Sequence, residues 1–305
     1  HVPTIIDMRR HLVLSEGKPP TQANESLEKT MQNGNPWGFS QQDRLKWSEQ
    51  SEFTPPTLSE KNEVDILYWV GCAGSYDPRN QNIALNMLKI LETANVDYAV
   101  LGKEETCTGD SARRLGEEYL FETLAKQNIE TMNKYKFNKV VASCPHCMHT
   151  ILNEYPDFGG DYEVVHHTEL IEELIATGKI EPNINSEETI TFHDPCYLGR
   201  HNKIYNEPRN ILENVAKTEN IIEMEESKES SMCCGAGGGN MWHEIEGERI
   251  NVARFNQAIE TGAKTVATAC SFCTIMMDDA MKVTGNEETM KVKDIAEIVG
   301  DSIDL

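Results

Sequence analysis

The sequence contains no run approaching the roughly 18–20 consecutive apolar residues that a membrane-crossing helix needs, so none is expected within these 305 residues. Its start has no basic segment leading into a long apolar stretch, and nothing in it reads as a secretory signal. The chain opens on His1 rather than Met, and a fragment or trimmed product, with residues missing upstream, is expected. Positive charge is scarce as well: 28 Lys+Arg face 50 Asp+Glu, a net charge of −22. Such a surface repels a phosphate backbone and an anionic lipid layer alike, which excludes a general nucleic-acid role and direct electrostatic membrane docking. Glu219, Glu223, Glu225, Glu226 and Glu229, gathered around Lys228, read as a solvated loop face. Nucleotide signatures are missing too. The run Gly235-Ala-Gly-Gly-Gly239 is followed by Asn240 where a dinucleotide fingerprint needs glycine, and it lacks the Lys-Ser/Thr of a phosphate-binding loop.

Cysteine, by contrast, is abundant. Nine cysteines, an odd count in a chain without an export signal, point to metal ligands or redox groups rather than a disulfide framework. They form a repeat. Cys107, Cys144 and Cys147 recur 126 residues later as Cys233, Cys270 and Cys273, and Cys72 recurs 124 residues later as Cys196. Cys234 alone lacks a partner, because Thr108 stands at its counterpart. A repeat this long predicts a duplicated domain rather than a solenoid of short units.

The flanking sequence predicts the fold. Apolar, β-rich runs lead into the first cysteine of each half (64–70 and 189–193) and into each CxxC pair (139–143 and 265–269). Helical patterns lie between them at 112–134 and 244–261, and each half closes on a short strand and a helix (162–166 then 169–176, 290–292 then 295–299). This alternation predicts an α/β architecture of two duplicated modules, mostly parallel sheets flanked by helices, related by a pseudo-twofold. The expected divisions are an N-terminal linker or packing segment over 1–60, irregular with short helices, a first module over 61–184 and a second over 185–305. The cysteines then lie just beyond the carboxyl ends of strands, where open α/β sheets form their ligand crevices, with one site in each half.

Cys196, Cys233, Cys234, Cys270 and Cys273 supply five thiols, one more than a closed zinc site or an ordinary [4Fe–4S] cubane uses. An expanded or opened cluster would use them all. Gly235, Gly237 and Gly238 are candidate cofactor-binding positions, where backbone approaches closely and amides bond cluster sulfurs. Cys72, Cys107, Cys144 and Cys147 suit a [4Fe–4S] cubane or a zinc ion equally. Cys144-Pro-His-Cys147 also matches a thioredoxin-like dithiol, but its repeat partner Cys270-Ser-Phe-Cys273 favours ligation. His146, His149 and His193 are expected to bond backbone near the sites rather than to ligate or relay protons. His166-His167 is expected to end a strand and, with Thr168, to cap the next helix.

The pattern Cys196, Cys233-Cys234-Gly235, Cys270-Ser-Phe-Cys273, with its first copy Cys72, Cys107-Thr108-Gly109, Cys144-Pro-His-Cys147, resembles the CCG domain of heterodisulfide reductase B/D-type iron–sulfur proteins over residues 60–305. The resemblance implies a noncubane [4Fe–4S] cluster on the five cysteines of the second copy. Thr108 breaks the motif in the first, so that assignment does not carry over there, and the four thiols leave a second [4Fe–4S] cluster or zinc as the expectation. The stretches 2–10, 106–114, 153–159, 193–200 and 233–242 are similar to a bacterial subgroup of membrane-bound oxidoreductases linked to fatty-acid oxidation. That likeness implies electron transfer from electron-transfer flavoprotein toward menaquinone. It also implies an upstream membrane haem or quinone domain and ferredoxin-like segment, with His1 just after the last ferredoxin cysteine. The chain is then expected to be a soluble part held on the cytoplasmic side of the membrane. The rival readings are a heterodisulfide or thiol–disulfide reductase, a lactate or glycolate oxidase iron–sulfur subunit, and a structural zinc protein.

Overall fold

The computed structural model describes residues 2–18, 20–185, 187–243 and 247–303. Each half of the repeat builds one parallel sheet. In the first, β1 (Glu63–Trp69), β2 (Tyr98–Ala99), β3 (Lys136–Ala142) and β4 (Val164–His166) lie in the order β2-β1-β3-β4. In the second, β5 (Ile190–Phe192), β6 (Thr265–Thr268) and β7 (Lys291–Asp294) lie in the order β5-β6-β7. A parallel bridge from Ile190 to Ile221 occupies the place of β2, so both halves follow one strand order. Ile66, Leu67, Tyr68 and Trp69 are buried in succession, as they must be in a parallel strand covered on both faces.

The strand expectations hold to within a few residues. The helix expected over 112–134 is two helices, Asp110–Leu115 and Glu118–Met132. The break falls at Gly116, where φ is +94° and a Cβ would sit 2.6 Å from the backbone carbon of Arg9. Only glycine fits that combination of left-handed backbone and close approach. The helix expected over 244–261 begins at Ile250 and ends at Glu260, and Glu244–Glu246 lie outside the described residues.

The two terminal strand–helix units end alike. His166 caps the helix His167–Ala176 and Asp294 caps the helix Ile295–Ser302, each in a capping box with Glu169 or Glu297. Thr168 Oγ1 lies 2.8 Å from His166 Nδ1, as the sequence suggested. His167 ties the caps together, with Nδ1 3.2 Å from His166 Nε2 and Nε2 2.9 Å from Asp294 Oδ1.

The halves share a core. Ile66, Tyr68 and Val141 belong to one apolar cluster with Ile190, Phe192, Ala267, Ile295 and Val299. Burying each large side chain contributes about 1.5–3 kcal/mol, so much of each module's stability depends on the other. Lys89 of the helix Pro78–Thr93 donates to the carbonyls of Gly300 and Ile303, and Arg79 pairs with Glu297 at 2.8 Å.

The first sixty residues carry the short helices expected of them. They form the helices Val2–Arg10 and Asn24–Asn33 and short 3-10 turns at Gln41–Asp43 and Lys46–Gln50. Pro19 and His1 lie outside the described residues. The segment buries Trp47 and Arg44 to 1% exposure each and pairs Arg10 with Glu118 at 2.8 Å. Tertiary burial of a few side chains, invisible in a polar composition, makes it part of the fold.

Candidate metal centre

All nine cysteines are free thiols, and Cys72, Cys144, Cys196 and Cys270 follow the carboxyl ends of β1, β3, β5 and β6. Cys144 and Cys270 are the N-caps of the helices Pro145–Asn153 and Ser271–Val283, with Cys147 and Cys273 in the first turns. A helix N-terminus carries partial positive charge, which favours thiolate there.

The four cysteines of the first copy line one small cavity with Trp37, His146, Ser271 and Phe272. Cys72 and Cys107 share a hydrogen bond, which lowers Cys72 and raises Cys107. Thr108 Oγ1 lies 3.9 Å from Cys147 Sγ. In the second copy the thiols form a continuous series from Cys196 through Cys233, Cys234 and Cys273 to Cys270. Cys234 and Cys273 are 3.3 Å apart at sulfur. Hydrogen bonds from Cys196 and Cys234, with the Gly235 amide 3.2 Å away, hold Cys233 well below the usual thiol range.

Sequence suggested a separate site in each half. The structure brings them together: Ser271 and Phe272 of the second module line the cavity of the first four cysteines, Cys147 and then Cys270 lower Cys144, and burial pushes Cys270 up. The shared core sets the two sheet edges against one another, and both CxxC helices start at that seam. Thiolates this close repel one another strongly in a buried space. Protons relieve that repulsion in the metal-free chain, and bound cations would relieve it otherwise. Four sulfurs around a cavity, beside five in series, are donor sets suited to two metal centres.

The glycine expectations divide. Gly235 supplies the amide described above, and its counterpart Gly109 N lies 3.4 Å from Cys107 Sγ. Gly238 offers its carbonyl to Arg9 Nη1 at 2.6 Å. A Cβ on Gly237 would meet nothing within 4 Å, so close packing gives no reason for that glycine. Gly239, which the motif did not single out, has φ +83° and packs its Cα against Leu115.

The histidines bond side chains rather than backbone. His146 Nδ1 lies 3.0 Å from Asp110 Oδ2, Arg114 binds Asp110 at 3.0 Å and Glu154 at 2.6 Å, and His149 meets Asn202 at 3.4 Å. Burial alone would raise Asp110, but His146 and Arg114 outweigh it and hold the carboxyl at about 2. Tyr197, directly after Cys196, stacks between His146 and His201 at 4.0 and 4.4 Å. His193 Nδ1 accepts from Arg254 Nε at 3.0 Å, and burial with the nearby guanidinium pushes His193 down to about 3.

Several site residues carried no spacing signal. Arg44, from the N-terminal segment, pairs with buried Glu105 at 2.5 Å and brings Nη2 to 3.6 Å from Cys72 Sγ. Glu105 also accepts the Val70 and Gly71 amides at 3.2 and 2.9 Å. Arg9 reaches the Arg114 and Gly238 carbonyls and so touches the cysteine loops of both copies. Arg254 was findable, because an offset of 126 places it on Asn128, another buried polar residue on the corresponding helix.

The cysteine-rich CCG domain profile matches residues 66–152 and 190–278. A probable iron–sulfur-binding oxidoreductase FadF of Bacillus subtilis is 44% identical over 99% of this chain and 44% of its own length. An EtfAB:quinone oxidoreductase of Syntrophomonas wolfei is 40% identical over 98% of the chain and 43% of its own length. A component of the dihydromethanophenazine:CoB–CoM heterodisulfide reductase of Methanosarcina barkeri is 32% identical over 89% of the chain and 65% of its own length. The chain thus spans under half the length of the first two relatives. Among the described residues, no helix is long and apolar enough to cross a membrane.

Proposed function

The chain belongs to the cysteine-rich CCG family, and from that premise we propose that it is the iron–sulfur electron-transfer part of an oxidoreductase that moves electrons from electron-transfer flavoprotein toward menaquinone. The observation that carries this reading is the gathering of nine free thiols where the two modules meet, with Ser271 and Phe272 of the second lining the cavity of the first four cysteines. The Bacillus and Syntrophomonas relatives, an iron–sulfur-binding oxidoreductase and an EtfAB:quinone oxidoreductase, support the direction of electron flow. Attachment to a membrane haem or quinone domain belongs to the same proposal.

Cys196, Cys233, Cys234, Cys270 and Cys273 would hold a noncubane [4Fe–4S] cluster, and Cys72, Cys107, Cys144 and Cys147 a cubane or zinc. Iron–sulfur clusters supply one-electron redox chemistry. The chain's own contribution is to bring the two donor sets together, exclude bulk water with a buried seam and fix the sulfurs with the Gly109 and Gly235 amides. Arg44 places permanent positive charge beside Cys72, which favours its thiolate. The Methanosarcina relatives support heterodisulfide reduction as a second reading, but Thr108 leaves the first copy one thiol short of the paired motif that the resemblance implies for that chemistry.

The test is anaerobic purification with iron, zinc and sulfide analysis and EPR, followed by mixing with reduced electron-transfer flavoprotein. Iron in both modules, with the EPR signal of a reduced cluster developing on mixing, is the expected result. Zinc in both modules would sink the reading.

A further inference from the structure

His193 precedes Cys196 by three residues and is 1% exposed. Its two ring nitrogens face different partners. Nδ1 meets Arg254 Nε at 3.0 Å. Arginine has only donors and keeps its charge in proteins, so Nδ1 contributes the lone pair and a neutral ring must carry its hydrogen on Nε2. Arg254 is itself fixed, through Nη1 to the Glu226 carbonyl at 2.9 Å and to Gln257, and through Nη2 to Ser231 Oγ at 3.1 Å. It has no freedom to turn away and release the other tautomer.

The Nε2 hydrogen has no partner within the described residues. A buried N–H without an acceptor costs about 1–3 kcal/mol, so such a group calls for an acceptor. A ring nitrogen of His193 and the sulfurs of Cys234 and Cys273 lie within 4.8 Å of one another. Nδ1 is taken by Arg254, which leaves Nε2 as the nitrogen free to serve the sulfurs. The grouping has the make-up of a metal site, yet an Nε2 that bears hydrogen cannot also ligate.

We infer that His193 is a hydrogen-bond donor to sulfur at the second centre, a positioning residue with its tautomer locked by Arg254, and not a sixth ligand. This rests on the proposed cluster at Cys196, Cys233, Cys234, Cys270 and Cys273. An N–H···S bond stabilises the more negative, reduced state of a sulfur-ligated centre. In the first module Trp69 holds that position, its buried indole N–H also without a partner among the described residues, and Asn128 holds that of Arg254, so a ring locked by an arginine is particular to the second.

The test begins with the unmodified chain, purified anaerobically and labelled with ¹⁵N-histidine. Iron analysis and EPR first establish whether the second centre is present; its absence defeats the cluster assignment, and with it this inference. With the centre present, electron–nuclear double resonance should show, beside the exchangeable proton of the Gly235 amide, a second one lost in D₂O and accompanied by weak histidine nitrogen coupling. Strong nitrogen coupling would make His193 a ligand, and no second exchangeable coupling would leave no donor; either result overturns the inference while the cluster stands. His193→Gln should keep the second proton coupling and a midpoint potential near that of the unmodified chain. His193→Leu should lose the coupling and shift the potential to more negative values. If His193→Leu fails to load iron, the spectra of the unmodified chain decide alone.

Discussion

The two modules share a strand order and a cysteine spacing, yet surround their sulfurs differently. In the first, a cation is added from outside the repeat: Arg44 of the N-terminal segment pairs with Glu105 and approaches Cys72. In the second it comes from within, where Arg254 holds His193 and Ser231. Glu105 and Ser231 occupy equivalent positions, as do Thr108 and Cys234. Thr108 bonds Cys147 just as Cys234 contacts Cys273. The duplication kept the scaffold and the CxxC pairs while the side chains around the sulfurs diverged. A centre's properties therefore depend on neighbours that the repeat does not specify.

The largest effect should come from removing the thiol that distinguishes the modules. Cys234→Ser is expected to abolish the second centre's native EPR signal and leave that of the first module intact, if the first holds a cubane. Equal loss from both sites would show that they assemble as one unit. The reciprocal change, Thr108→Cys, offers the first module a fifth thiol beside Cys147. It should alter the first centre's metal content or EPR spectrum toward those of the second. An unmodified first site already spectroscopically identical to the second would refute the ligand-count argument.

Stability predictions come next. Arg44→Met leaves Glu105 charged and buried, and stripping one partner from a buried pair costs about 3–5 kcal/mol. Urea unfolding of the metal-free chain should show that loss. Gly239→Ala adds a Cβ against Leu115 at a left-handed position and should cost about 1–3 kcal/mol by overpacking. A shift toward zero would mean that the loop yields freely. The smallest effect belongs to the half-exposed pair Arg249–Asp279, 2.6 Å apart at the surface of the second module. Asp279→Asn should change stability by no more than about 1 kcal/mol.

The sequence by itself determined the duplicated α/β scaffold, the strands that lead into each cysteine and the two donor sets. These depend on local patterning and on chemistry that only thiols supply, and both repeat at a fixed offset. The capping role of His166 was legible for the same reason, since caps are short-range. The tertiary structure alone decided that the two sites meet at Cys144 and Cys270, because that contact requires the sheets to share a core. It alone decided that Arg9 and Arg44 reach the cysteine loops and that His193 turns one nitrogen to Arg254. Those partners lie 28 to 229 residues away in sequence. A buried charge is placed by whatever surrounds it after folding, and no spacing rule along the chain records that environment.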